Sequence, residues 1–332
     1  MQATSLTSGV LLMWKTLEAH GLNSRELFEK AGLNPAKLRN PDARYPDKRI
    51  MKLWEYALEE IRDPCMGLEL ASHFHATTLH ALGFSWLASQ TLKDAFARLI
   101  RYSRIITDVE KFSFEETTQD FRFKMQLPNG QPYFPYEDYD AAFAIVVKLC
   151  RMSVDEDFSP RHITMQRPEP ACVDRFYEYF RCSIDFSSDS YEIWFNKQDM
   201  VKQLPTANER LALMNDKVVM DYLVELDKDD IVMQVKQRLI DRLPTGEVCQ
   251  KDIAAALFMS ERNLQRKLSD RKTSYKKILD EIRSELARGY INDARLSINE
   301  ITYLLGFSEP ANFTRAFKRW HGVAPSSYRM TG

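Results

Sequence analysis

Arg262, Gln265 and Arg266 stand at i, i+3 and i+4 of one segment, and Asn312, Arg315 and Arg319 at i, i+3 and i+7 of another. On an α-helix each spacing gathers its three side chains toward one face. The chemistry of such a face is base reading. A guanidinium can donate two bonds to guanine O6 and N7, and a side-chain amide can pair with adenine N6 and N7. Ser260, just before the first set, is an N-cap residue, leaving backbone N–H groups at the positive end of a helix dipole to hold a phosphate.

The elements that must position these faces can be read from the apolar residues between them. In the first segment, Ile253, Ala254, Leu257 and Phe258 mark one helix, and Leu264 and Leu268 turn inward from a second. In the other, Ile298 and Ile301 begin an amphipathic turn, Leu304-Leu305-Gly306-Phe307-Ser308 breaks it, and Phe313, Phe317 and Trp320 restart it at helical spacing. Gly306 supplies the positive-φ corner. The spacing therefore predicts two helix-turn-helix motifs, 251–270 and 297–320. Between them Tyr275, Ile278, Leu279, Ile282, Leu286 and Tyr290 form a stripe of 3.6-residue period, which predicts one long connecting helix over 275–291. A stiff spacer suits two recognition helices that enter successive major grooves about 34 Å apart.

At this point the sequence resembles the AraC/XylS family of bacterial transcription regulators. Gly306-Phe307-Ser308, Asn312 to Trp320, Gly322 and Pro325-Ser326-Ser327-Tyr328-Arg329 look like that family's C-terminal signature, and Met259 to Leu268 is similar to its first recognition helix. The resemblance covers about the last hundred residues. It implies base contacts from Arg262, Gln265 and Arg266 and from Ala311, Asn312 and Arg315. Phosphate contacts are expected from Ser260, Lys272, Thr314, Lys318 and Arg319. Two positions depart from the family pattern. Lys272 stands where glycine is usual, which suggests an altered turn or an added phosphate contact. Thr302 stands where alanine is usual, putting a hydroxyl at a tight helix crossing.

Charge is divided along the chain. From Ile231 onward there are 18 Lys and Arg against 11 Asp and Glu, whereas the first 230 residues hold 28 against 36, so the overall −1 hides a basic C-terminal part and an acidic N-terminal one. A basic module favours phosphate contact and salt-dependent affinity. The run Asp227-Lys228-Asp229-Asp230 separates two helical patterns, giving an expected regulatory domain 1–226, a linker 227–230 and a DNA-binding domain 231–332. The helix marked by Ile231, Val235, Leu239 and Leu243 belongs to the latter, ending at Pro244 and Gly246.

The N-terminal part changes period along its length. Residues 9–18, 24–30, 47–61, 64–74, 91–108, 138–152 and 171–180 read as helices. Phe112 and Phe114, then Phe121, Phe123, Met125 and Leu127, alternate as a β-hairpin turning at 117–120, with further strands at 163–166, 184–186 and 191–195. The expected fold is an α+β sensor domain followed by an all-α module with two helix-turn-helix motifs joined by a long helix. Asn34-Pro35 through Tyr45-Pro46 to Trp54, with Gly67 and the helix after Thr91, resembles the "arabinose-binding" regulatory domain of one subgroup of the family. That resemblance implies a small-molecule effector and dimerisation. Phe84, Trp86, Tyr133, Phe134, Tyr136 and Tyr139, aromatics near element ends, are the candidate pocket residues.

Several function classes find no support. His73 and His75, two residues apart, face different sides of a helix and no acidic or cysteine ligand completes a set with His80, so no metal or other cofactor is expected. There is no Gly-x-Ser-x-Gly elbow and no glycine-rich phosphate loop. The five cysteines form no Cys-x-x-Cys pair and read as reduced, buried thiols of a cytoplasmic protein. Nothing approaches a membrane span, and Leu6 to Trp14 lacks the basic start of a signal peptide. The expected partners are promoter DNA, an effector and RNA polymerase, with activation as the expected output. Two other readings attach to the same module: an enzyme fused to it, such as an alkyl-transfer repair protein with a cysteine acceptor, or an architectural DNA binder without an effector.

Overall fold

Strict alternation of Phe with polar residues builds the centre of the N-terminal sheet. The structure, a computed structural model, describes residues 3–126, 134–227, 230–246, 248–291 and 296–331. Its strands are β1 (Thr4–Leu6), β2 (Arg44–Pro46), β3 (Lys111–Glu116), β4 (Asp120–Gln126), β5 (His162–Thr164), β6 (Ser183–Asp185) and β7 (Tyr191–Asn196). β1 and β2 form a small antiparallel ribbon, and the other strands form a sheet in the order β3-β4-β7-β5-β6, parallel between β5 and β6 and antiparallel elsewhere. The expected hairpin is present, with Phe112 opposite Met125 and Phe114 opposite Phe123; Leu127 lies outside the described residues. Phe114 stacks between Phe96 and Phe121 at centroid distances of 4.7 and 5.0 Å, tying the helix Leu92–Arg101 to the sheet.

The chain divides into two compact units, Met1–Val219 and Met220–Gly332. The helix Glu209–Leu226 contributes to both, and the next begins at Ile231, with Asp230 accepting from Val232 and Met233 N–H as its N-cap; residues 228 and 229 lie outside the described residues. In the first unit, Arg98 is buried and donates to Asp216, Ser89 and Glu209, which fixes the start of that helix. Close helix crossing is set by Gly67, where a Cβ would lie 2.1 Å from the Glu137 carbonyl oxygen, so the helix Met66–Ser72 can press on Tyr136–Ser153 only without a side chain there.

The second unit is helical throughout its regular elements. Ile231–Arg242 leads, with Ile231, Val235, Leu239 and Leu243 all buried, followed by Gln250–Ala256, Glu261–Asp270, Tyr275–Ile291, Ile298–Leu304, Pro310–His321 and Pro325–Thr331. The connecting helix has the predicted bounds, and its 17 residues span about 25 Å.

Three expectations are corrected. Phe258, read as part of the first helix of 251–270, lies past the end of Gln250–Ala256 at φ 54° and is 98 % exposed. The helix read over 91–108 stops at Arg101; Tyr102 leaves the helical region, and Ile105 turns into the core through a 3₁₀ turn, Ser103–Ile105. The run Ile105-Ile106-Thr107 is β-branched, a type poorly suited to extend a helix. The cysteines are not five buried thiols. Cys65 and Cys172 are joined in a disulfide across 107 residues, Cys150 is buried, Cys182 is half-buried and Cys249 is exposed. Spacing along the chain cannot reveal such a pair, because the two residues meet only after the intervening sheet and helices have formed.

Candidate DNA interface and effector cavity

Each helix-turn-helix copy buries one face and leaves the opposite one in water. In the first, Ile253, Ala254, Leu264 and Leu268 are buried, while Arg262, Gln265 and Arg266 are exposed on Glu261–Asp270. Ser260 caps that helix by accepting from Asn263 N–H at 3.3 Å. Arg266 donates to Asn263 Oδ1 at 3.2 Å, so part of the outward face is pre-ordered.

In the second copy, Ile301, Leu305, Phe313 and Phe317 are buried. Ala311, Arg315, Lys318 and Arg319 are exposed on Pro310–His321, with Asn312 and Thr314 half-exposed. Arg315 donates to Asn312 Oδ1 at 2.6 Å, and Arg319 reaches both Asp280 oxygens at 3.2 Å. The two departures noted in the sequence take definite forms. Lys272 adopts φ 55°, keeping the left-handed turn that glycine would make and holding its side chain exposed. Thr302 is fully buried and its hydroxyl donates to the Ile298 carbonyl at 2.8 Å, so the polar atom is satisfied within its own helix.

A residue that sequence reasoning passed over fixes the second turn. Arg283, on the connecting helix, donates to the carbonyls of Leu305 and Gly306 at 2.8 and 2.7 Å, and its guanidinium lies 4.2 Å from the Phe307 ring centroid. The available signal was an arginine on an otherwise apolar-striped helix, but nothing in its spacing names its partners.

The N-terminal unit holds a cavity of about 210 Å³ between the sheet face carrying Phe112, Phe123 and Met125 and the helices Thr7–Ala19, Asp47–Ile61, Met66–Ser72 and Tyr136–Ser153. Its wall is mainly aliphatic and aromatic. Phe134 and Tyr139 line it, joined by a bond from Phe134 N–H to the Tyr139 hydroxyl at 3.2 Å. The other candidate aromatics among the described residues, Phe84, Trp86 and Tyr136, lie elsewhere. Trp86 is buried, donates to Ser153 and packs on Phe96; Phe84 and Tyr136 are 44 % and 37 % exposed; Tyr133 lies outside the described residues. The polar wall groups the sequence did not suggest are Ser5, Thr78, Thr107, Glu110 and Asp138.

Asp138 accepts a hydrogen bond from the Trp54 indole, yet burial, with the carboxyls of Glu110 and Asp47 nearby, pushes its own carboxyl up to about 8. Burial also raises Glu110 and Asp47. The cavity thus has an acidic end where burial disfavours ionisation of each carboxyl and an ionised neighbour disfavours it further.

Among the described residues, the one group of donors within 4.8 Å of each other is Asp63, Cys65 and Cys172, and its two sulfurs are bonded together. His75 caps a 3₁₀ turn and His80 meets Asp42 at 3.1 Å. Burial pushes the Cys150 thiol up and the Cys182 thiol up to about 12, opposite to what an acceptor thiolate needs.

Residues 21–204 match the family described as the arabinose-binding domain of AraC transcription regulators, N-terminal, and residues 253–331 match the helix-turn-helix domain family. The chain belongs to the AraC family of transcription regulators. It is therefore a DNA-binding regulator that responds to a small molecule, with an α+β N-terminal domain and a helical C-terminal module. Among AraC-type relatives, the ornithine utilization regulator of Pseudomonas aeruginosa is 26 % identical over 93 % of this chain and 91 % of its own length. The regulator VqsM of the same species is 22 % identical over 87 % of this chain and 91 % of its own. Among solved structures, the regulator CdpR from Pseudomonas aeruginosa is 18 % identical, covering 96 % of this chain and 98 % of its own, with a TM-score of 0.49. No helix among the described residues is long and apolar enough to cross a membrane.

Proposed function

We propose that this AraC-family regulator reads promoter DNA with Arg262, Gln265 and Arg266 in one major groove and Ala311, Asn312 and Arg315 in the next, and that the N-terminal cavity is its effector site. Ser260, Lys272, Thr314, Lys318 and Arg319 then hold phosphates and set register. The observation that carries the reading is the duplication itself: two helices within one basic unit, each with a buried apolar face and an exposed Arg-rich face. Arg319 exchanges Asp280 for a phosphate on binding. The protein acts in the bacterial cytoplasm as a homodimer, and RNA polymerase is its partner in activating transcription. The effector works by binding one arrangement of the protein more tightly than the other.

Binding to duplexes selected from a random library tests the assignment. Arg315→Ala should weaken the selected site by about 1–3 kcal/mol and relax its preference at one base pair, whereas Lys318→Ala should weaken selected and scrambled duplexes alike. Equal losses for Arg315→Ala on both duplexes would refute base reading by that residue.

A further inference from the structure

The acidic end of the cavity carries more than the existence of an effector. Three carboxyls converge there from separate elements. Asp138 comes from the first turn of Tyr136–Ser153, Glu110 from the segment before β3, and Asp47 from the start of Asp47–Ile61. Asp138 and Glu110 line the cavity, and Asp47 stands behind Ser5, whose hydroxyl donates to Asp47 Oδ1 at 2.8 Å. Thr107 donates to Glu110 Oε2 at 2.7 Å. Among the described residues, Glu110 Oε1 and Asp47 Oδ2 are buried without a hydrogen-bond partner.

No Lys, Arg or His lines this cavity among the described residues. Arg44, the cation that acts on Asp47, is committed to Asp108 at 3.4 Å and to the Thr4 and Ile105 carbonyls. Arg167, further along, pairs with Asp140. Glu110 Oε1, a buried acceptor on the cavity wall without a donor, is costly to leave unmatched, and a ligand that brings N–H donors and positive charge removes that cost. Apart from Ser5, Thr78 and Thr107, the remaining wall is apolar, including Leu53, Phe74, Leu99, Phe123 and Ile145, so the rest of the ligand must be mainly hydrocarbon. A pentose, hydroxylated on every side, would leave most of its donors and acceptors facing hydrocarbon. At about 210 Å³ the cavity exceeds the roughly 150 Å³ that admits benzene and is smaller than a drug-sized pocket.

We propose that the cavity binds a small lipophilic primary amine, its ammonium seated between Asp138 and Glu110 and its hydrocarbon body against the apolar wall. This rests on the reading of the cavity as the effector site and names the chemistry of that effector. Below its raised pKa, Asp138 holds a proton. When the ammonium binds, that proton leaves to solvent and the carboxylate pairs with the cation, so the ligand keeps all its protons and one is released by the protein. Glu110 and Asp47 oppose ionisation of Asp138 until the cation arrives, while the Trp54 indole favours it. Amine affinity must therefore rise with pH toward about 8, the value at which Asp138 ionises unaided. A carboxylic-acid ligand would show the opposite slope.

Calorimetry on the full chain with 2-phenylethylamine, 3-phenylpropionate and ethylbenzene, at pH 6 and pH 8, separates the possibilities. The expected result is that the amine binds, more tightly at pH 8, with proton release at pH 7. Asp138→Asn should weaken it about 10- to 100-fold and abolish the pH slope, leaving ethylbenzene binding unchanged. Glu110→Gln should act in the same direction, which keeps the test alive if one variant does not fold. Ala142→Phe, which fills the cavity, should remove binding of every probe, with Leu149→Trp as its alternate. If the acid or the hydrocarbon binds better than the amine and Ala142→Phe abolishes it, the amine assignment falls and the cavity reading stands. If an amine binds undisturbed by Ala142→Phe and Leu149→Trp, both fall. Absence of amine binding at pH 8 overturns the assignment outright. The cavity reading is then decided by whether Ala142→Phe removes any small molecule that native mass spectrometry finds on the purified chain.

Discussion

The two helix-turn-helix copies reach the same shape by different physical means. In the second, the turn is locked from outside: Gly306 has φ 65°, a Cβ there would lie 3.0 Å from the Leu243 carbonyl oxygen, and Arg283 binds the successive carbonyls of Leu305 and Gly306. In the first, the corresponding corner is Phe258, with φ 54° and 98 % exposed, held by backbone bonds from Phe258 N–H to Ala255 and from Met259 N–H to Ala254. A packed turn demands glycine because neighbours leave no room. An open turn tolerates a large residue at the cost of left-handed strain. The recognition helices differ likewise: Ser260 caps the first, whereas the second begins at Pro310 behind Glu309, which makes no side-chain cap.

The sharpest way to break this contrast is Arg283→Ala. It removes two charge-assisted bonds and a cation–π contact from the second turn and should cost about 3 kcal/mol, read as a lower urea midpoint and faster hydrogen exchange over 302–310. Exchange that quickens equally around Phe258 would mean that the two copies unfold as one and that the clamp is not local. Gly306→Ala comes next, with an expected loss of about 1–2 kcal/mol from the left-handed backbone alone and more from the Leu243 contact. The smallest effect has the opposite sign. Phe258→Gly and Lys272→Gly, both at left-handed positions open to solvent, should each stabilise by up to about 1 kcal/mol after the entropy of the added glycine is discounted. Loss of stability in Phe258→Gly would show that its ring makes contacts that exposure does not suggest.

The exposed faces of the two helix-turn-helix copies were largely legible in the sequence. Helical period is local, so Leu264, Leu268, Phe313 and Phe317 fix which way Arg262, Arg266 and Arg315 point without knowledge of any neighbour. The hairpin from Phe112 to Met125 was legible for the same reason, its period of two being as local as the helical one. The cavity proposed for the effector was not. Aromatic residues near element ends are core as often as lining, and Trp86 and Tyr139, alike on paper, separate only because one packs on Phe96 while the other faces the hollow. Glu110 and Asp138 carried no signal at all, being ordinary acidic residues at the edges of elements until three segments close around them.

What the sequence by itself determined was the set of faces each helix or strand presents, since side-chain direction follows from backbone period within a few residues. What only the tertiary structure decided was which faces meet: the Cys65–Cys172 bond, the Arg283 clamp and the convergence of Asp47, Glu110 and Asp138. Each joins residues far apart in the chain, and such a pairing exists only once the intervening segments have been placed by packing.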